Sequence, residues 1–227
     1  METSAFDVIG PAMVGPSSSH TAGAVRIGLL AHHIIKEFPT IDNTLIELHG
    51  SFAATGRGHA TDRGLVAGLM GFAPDDERIK DALKIAEEKG FKVEIKNTDL
   101  GMDAHPNTAR LMFNFGGHFA GQSLTIIGAS IGGGNVELQE IDNYKTNITG
   151  ALDALVIWHL DRPGFLARVT ALLACVELNI ATILTGRRMR DSEALTVIKT
   201  DTPVPDDCLS MMKRIPIVNR VARIPKF

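Results

Sequence analysis

The chain has 227 residues and a formal net charge of −3, from 23 basic and 26 acidic side chains. The two signs are interspersed, so there is no basic field for nucleic acid or an anionic membrane, and neither is expected as a partner. At 44% hydrophobic and 22% charged, the composition is that of a globular protein long enough for one large domain or two small ones.

The chain opens on a short apolar stretch, FDVIG, followed by the polar loop GPSSSHTAG. A helical pattern follows, with Ala24, Ile27, Leu30, Ala31, Ile34 and Phe38 at three- and four-residue steps and Pro39 as its stop. NTLIELHG (43–50) reads as a strand that runs into a loop, GSFAATGRGHATD. A second helix is expected from about His59 to Met70, and a third from Glu77 to Lys89, closed by Gly90. FKVEIKN alternates as a short strand. The segment from TARLMF to ELQEID reads as two or three strands broken at Gly116-Gly117 and Gly132-Gly133-Gly134. This first part, residues 1–150, is expected to be a mixed α+β domain.

From Leu152 the rhythm changes. LDALVIWHL is a strand, DRPG a turn, and Leu166, Val169, Leu172, Leu173 and Val176 form a helical stripe. NIATILTGRRM and EALTVIKT are strands, PDDCLSMMKRI a short helix and IVNRVARI a last strand. The order βαββαβ over 151–227 is ferredoxin-like. With Asp161-Arg162-Pro163-Gly164 after the first strand and Leu178-Asn179-Ile180 leading into the second, this unit resembles an ACT domain. In that family the equivalent loop often binds a small amino acid at a dimer interface, which makes Asp161, Gly164 and Asn179 candidate effector contacts. Gly164 lets a ligand approach the backbone, and the helix start offers N–H donors to a carboxylate. The alternative, that Pro163 and Gly164 only make a turn and the unit only dimerises, stays open.

Three loops of the first domain each set a histidine among hydroxyls, amides and glycines. In Ser17-Ser18-Ser19-His20-Thr21, hydroxyls and N–H groups at a helix N-terminus suit a carboxylate or phosphate. The positive helix end biases His20 toward its neutral form, able to act as a base or a donor. Simple capping explains one of these serines equally well. In Gly56-Arg57-Gly58-His59-Ala60-Thr61-Asp62, Arg57 is a charge partner for an anion, but the Gly-Lys-Ser/Thr ending of a P-loop is missing. In Asp103-Ala104-His105-Pro106-Asn107-Thr108, Pro106 biases His105 toward an extended backbone. The remaining histidines (His32, His33, His49, His118 and His159) read as structural. His20, His59 and His105 could together hold zinc or iron, but no short-spacing signature such as His-Glu-x-x-His is present.

Taken in order, FDVIGPAMVGPSSSHTAG, GSFAATGRGHATD and HPNT, followed by the ACT-like unit, resemble the β-chain family of bacterial iron–sulfur-dependent L-serine dehydratases. The resemblance implies an N-terminal fold like the allosteric substrate-binding domain of some phosphoglycerate dehydrogenases. It also implies deamination of L-serine to pyruvate and ammonia by a two-chain enzyme. The 4Fe–4S cluster would be ligated by a separate α chain, because clusters need thiolates and this chain has only Cys175 and Cys208. On the family's loops, Ser17, Ser18, Ser19, Thr21, Thr61, Asn107 and Thr108 are implied in substrate binding, and His20, His59 and His105 in proton transfer.

Three functions remain distinct at this level. The chain is a catalytic partner of an α chain, a regulatory serine-binding module, or an independent hydrolase with a histidine metal site. No apolar run reaches the ~18 residues of a membrane-spanning helix. METSAFDVIGP also lacks a basic stretch ahead of an apolar core, so a cytoplasmic protein is expected.

Overall fold

The structure, a computed structural model, describes residues 12–38 and 40–227; the FDVIG stretch and Pro39 lie outside them. The chain divides into two compact units, one ending at Asn143 and one running from Tyr144 to Phe227.

In the first unit, helix α1 (Gly23–Ile35) follows a π-turn at Ser18–Ala22. Strand β1 (Ile41–Leu48) leads to a short helix α2 (Gly50–Thr55) and then to α3 (Thr61–Leu69). A 3-10 turn (Glu77–Asp81) runs into α4 (Ala82–Glu88), before β2 (Val93–Asn97), β3 (Thr108–Phe115), β4 (Ser123–Gly132) and β5 (Asn135–Ile141). The strands take the order β2-β1-β3-β4-β5. Only β1 and β2 pair in parallel; the other neighbours are antiparallel. Alternate residues of the central strands face one side, where Ile46, Leu111, Phe113, Leu124, Ile126 and Leu138 are fully buried. The apolar stripe of α1 covers that face: Ile27, Leu30 and Ile34 are fully buried. Each such side chain contributes about 1.5–3 kcal/mol over its exposed state.

Helices α1 and α3 cross at glycines. A Cβ added to Gly28 would lie 2.3 Å from the Leu65 carbonyl oxygen, and one on Gly68 only 2.0 Å from that of Val25. The helix backbones therefore touch, as stripes of small residues allow. This contact fixes the N-terminus of α1 against that of α3, the two ends that carry the histidine loops.

Three local expectations are corrected. GSFAAT is helix α2 rather than loop, because His49 supplies an extended N-cap residue and the Pro106 carbonyl accepts from the first N–H groups of the turn. The following helix starts at Thr61 rather than His59, since Ala60 sits in the left-handed region (φ 57°) that breaks the helix between them. Phe38 lies beyond α1 and stacks instead on Phe115, with ring centroids 5.0 Å apart.

The second unit opens with a strand the sequence reading lacks, β6 (Tyr144–Ile148), whose residues alternate buried and exposed. The predicted βαββαβ order follows as β7 (Asp153–Leu160), α5 (Phe165–Cys175), β8 (Ile180–Arg187), β9 (Glu193–Thr200), α6 (Asp206–Lys213) and β10 (Val218–Ile224). Their sheet order, β10-β7-β9-β8, is the ferredoxin-like arrangement expected from the sequence. The stripe of α5 holds at Val169 and Leu173, with Leu172 partly buried, but differs at its two ends. Phe165, Val169 and Leu173 are buried, whereas Leu166 and Val176 are exposed. Phe165 wins the inner position by stacking on buried His159 at 3.4 Å between ring centroids.

Candidate functional site

The first loop forms a π-turn, a wider helical turn often found at functional sites. Ser17 caps it: its Oγ accepts from the His20 backbone N–H at 3.1 Å. One serine therefore does the capping. Ser18 and Ser19 are half-buried, and their hydroxyls make no hydrogen bond to a described residue. Thr21 is fully buried and donates its hydroxyl proton to the His59 carbonyl at 2.8 Å, tying the first loop to the second.

His20 is the hub. Its Nε2 lies 3.0 Å from Ser51 Oγ and 3.1 Å from Thr55 Oγ1, both on α2. Its ring meets Phe52 edge-on at 5.3 Å and His59 at the same centroid distance. Burial pushes the His20 pKa below its usual value; a hydrogen bond to the Ser51 backbone opposes this shift and the nearby His59 reinforces it. The imidazole is thus neutral at neutral pH, as the position at a helix start leads one to expect.

The third loop docks on the same short helix. The Pro106 carbonyl accepts from the backbone N–H groups of Ser51 (2.7 Å) and Phe52 (3.4 Å). Gly50 allows this: its φ is 57°, and a Cβ there would lie 2.6 Å from the Pro106 oxygen. Within the loop, His105 Nδ1 accepts from the Asn107 N–H at 3.1 Å, and the Thr108 hydroxyl donates to the His105 carbonyl at 2.7 Å. The Asn107 carbonyl accepts from Ser130 N–H at 2.9 Å. Ser130 is pressed against the start of α1, where a Cβ on Gly23 would lie 2.2 Å from its Oγ.

The contacts close a ring. His20 reaches Ser51, Ser51 reaches Pro106, Asn107 reaches Ser130, and Ser130 abuts the turn that carries His20. Thr21 adds the arm to His59. All three predicted loops are therefore gathered at one place. His20 and His59 face each other, while His105 is joined through backbone contacts. Thr61 is fully buried at the start of α3, with no hydrogen bond to its Oγ1. Beside His59, a cleft of about 920 Å³ is lined by Thr55, Arg57, His59, Asp62 and Asn97, among others. Sequence reasoning missed Ser51, Thr55 and Ser130. The signal for the first two was their i, i+4 spacing, which puts both hydroxyls on one helical face, but it is legible only once GSFAAT is seen as a helix.

In the second unit the predicted effector residues are not drawn together by hydrogen bonds. Asp161 pairs with Arg187 at 2.8 Å, and Asn179 donates to Asp201 at 2.5 Å. Gly164, at φ 85°, caps the start of α5 in the left-handed region that favours glycine. His159 is structural: Nε2 contacts Thr196 Oγ1 and Nδ1 the Leu160 carbonyl, both at 2.9 Å.

Among the described residues no group of three His, Cys, Asp or Glu side chains could hold a metal ion, so His20, His59 and His105 form no ligand set. Cys175 and Cys208 lie on α5 and α6 of the second unit, one exposed and one buried. An iron–sulfur cluster needs several thiolates; this chain's donors do not fit one. No helix among the described residues is long and apolar enough to cross a membrane.

The fold and the ring define the class: an α+β chain with a histidine–hydroxyl loop cluster, followed in sequence by a ferredoxin-like unit. A protein-family model for the serine dehydratase beta chain matches residues 4–140. A probable L-serine dehydratase beta chain of Bacillus subtilis is 37% identical over 221 residues, 97% of each chain. The L-serine dehydratase beta chain of Peptoniphilus asaccharolyticus is 36% identical over 207 residues, 91% of each chain. A D-3-phosphoglycerate dehydrogenase of Methanocaldococcus jannaschii is 32% identical over 103 residues, which cover 45% of this chain and 20% of that protein. The chain belongs to the serine dehydratase beta-chain family.

Proposed function

We propose that this chain is one half of an L-serine dehydratase. Its N-terminal loops complete an active site on a separate α chain, and the assembly deaminates L-serine to pyruvate and ammonia in the cytoplasm. In this reading residues 1–150 do the catalytic work and 151–227 are the ACT domain. The 4Fe–4S cluster implied by the family belongs to the α chain. This chain's part is to bind, to orient and to move a proton.

One observation carries the reading: a half-buried histidine is held between two hydroxyls where three polar loops meet. Removing the α-proton of serine needs a base that is unprotonated at neutral pH, and His20 meets that need. Ser18 and Ser19, with hydroxyls not spent on the fold, and the Asn107 amide offer donors for the substrate carboxylate, as Ser17 does at the turn's cap. Thr21 and Thr108 spend their hydroxyl protons on the loops that carry His59 and His105, so they hold those histidines in place. Thr61 Oγ1, buried without a partner at the start of α3, belongs to the same site. Loss of the β-hydroxyl gives an aminoacrylate, which tautomerises to an imine and hydrolyses.

For the second unit we propose a homodimer contact through β8. It is an edge strand with Ile183 and Leu184 exposed, which suits pairing with a second copy. Asp161, Gly164 and Asn179 would then border an amino-acid effector at that contact.

The test is to purify the chain with its α chain and follow L-serine consumption at saturating serine. His20, His59 and His105 variants that lower turnover support the catalytic reading. Variants that shift only the cooperativity of serine dependence would make the chain a regulatory module instead. An α chain that turns serine over equally well alone overturns the proposal.

A further inference from the structure

The hydroxyl pair around His20 carries one further step, which rests on the reading of this site as the place of proton transfer. A neutral imidazole has one N–H and one bare nitrogen, and only the bare one can take a proton. Which nitrogen is bare follows from counting protons at the clamp.

Nε2 has two hydroxyl oxygens within reach, Ser51 Oγ at 3.0 Å and Thr55 Oγ1 at 3.1 Å. Thr55 has a single hydroxyl proton and two neighbours for it, and the Ser51 carbonyl, 2.9 Å away and one helical turn back, is both the nearer and the one that can only accept, so the proton is assigned there. Toward His20 the threonine oxygen therefore presents a lone pair. A bare Nε2 would face it lone pair to lone pair. A protonated Nε2 donates to it, and the same N–H is shared with Ser51 Oγ. Nδ1 is then the bare nitrogen, and it makes no hydrogen bond to a described residue. The Phe52 and His59 rings flank the imidazole, each at 5.3 Å, and the Ser17 bond fixes the His20 backbone.

We infer that Ser51 and Thr55 are positioning residues that hold His20 as the Nε2–H tautomer and leave Nδ1 as the nitrogen that takes the substrate proton. Neither touches substrate in this assignment; both act through His20. The helical form of GSFAAT puts both hydroxyls on one face, one turn apart. As a loop it would not hold two hydroxyls in register with one ring nitrogen.

Nitrogen-15 spectra of the full chain, labelled at histidine and held at about pH 8 so that the ring is neutral, read the tautomer directly. The bare nitrogen resonates far downfield of the protonated one, and His20 is assigned from the His20→Gln spectrum. Nδ1 is expected downfield. Thr55→Val is expected to mix the two tautomers and Thr55→Ser to restore the original one, with Ser51→Ala as a second perturbation that leaves the Pro106 backbone bond in place. In the complex with the α chain, Thr55→Val should lower kcat on the order of tenfold with KM within about twofold, and Thr55→Ser should recover most of it. An Nδ1–H tautomer in the unaltered chain, or a Thr55→Val complex with unchanged kcat, overturns the assignment. An unaltered complex that does not consume serine overturns the reading of the reaction instead, while the spectrum still decides the tautomer.

Discussion

Gly68→Ala puts two opposed effects on one residue. In an isolated helix the change is favourable by about 1 kcal/mol, because alanine restricts the unfolded chain and has the higher helical propensity. Here the new methyl would lie 2.0 Å from the Val25 carbonyl oxygen, 2.6 Å from the Leu29 nitrogen and 2.8 Å from the Gly28 Cα. All three are backbone atoms of α1, which cannot rotate aside as a side chain can. Bringing the closest contact to even 3.0 Å requires α1 and α3 to separate by about 1 Å, in an interior that transmits strain. Overpacking usually costs 1–3 kcal/mol, and a backbone clash on this scale belongs at the upper end. The net loss is about 2 kcal/mol, or roughly 4–8 °C in Tm for a chain of this size. The two helices also carry Thr21 and Thr61 at their starts, so activity of the complex should fall further than stability alone explains. Scanning calorimetry of the variant beside Gly116→Ala is the assay. Gly116 has an ordinary φ and only Asp42 Cβ nearby at 3.6 Å, so its change should be close to neutral. An unchanged or raised Tm for Gly68→Ala would refute the tight helix crossing.

Three further outcomes are expected. His20→Ala in the complex with the α chain should lower turnover by at least ~10²-fold if His20 is the base, while the two chains still co-purify; near-normal turnover would remove it from that role. Ile27→Asp places a charge without a partner at a fully buried position of the α1 stripe and should destabilise by about 4 kcal/mol or more, read as a collapse of the urea midpoint. Stability should also fall in mild acid. Burial lowers the pKa of both His20 and His159 in the fold, so the unfolded chain binds more protons as the pH drops below about 6.5. The contribution is complete above that value and is lost as the pH falls toward the folded pKa values. Urea midpoints at successive pH values measure it, and His159→Gln should flatten the curve; a midpoint that rises on acidification contradicts this sign.

Much of this was legible in the sequence because the periods are clean. The α1 stripe, the alternation of the β strands and the βαββαβ order of the second unit follow from hydrophobic spacing alone. The errors cluster where tertiary contact decides. Leu166 and Phe165 are adjacent and both apolar, and packing in the core with Val169 and Leu173, together with stacking on His159, selects Phe165 for the interior. The six residues of α2 are too few to nucleate a helix in isolation. They are helical because the Pro106 carbonyl caps their exposed N–H groups from more than fifty residues away. The histidines of the site could be named from their polar settings. Ser51, Thr55 and Ser130 could not, since their importance lies in what they touch.

The closed circuit of loop contacts has a consequence for recombining family members. A loop taken from one relative and placed in another keeps the backbone bonds of the ring but separates the groups that meet across it, His20 from Ser51 and Thr55 and Gly23 from Ser130. The heritable unit of this site is therefore dispersed: the SSSHT turn, the start of α2, the HPNT turn and Ser130 must be exchanged together. Chimeras cut at any single crossover between Gly23 and Asn107 should lose function more often than their overall sequence identity suggests.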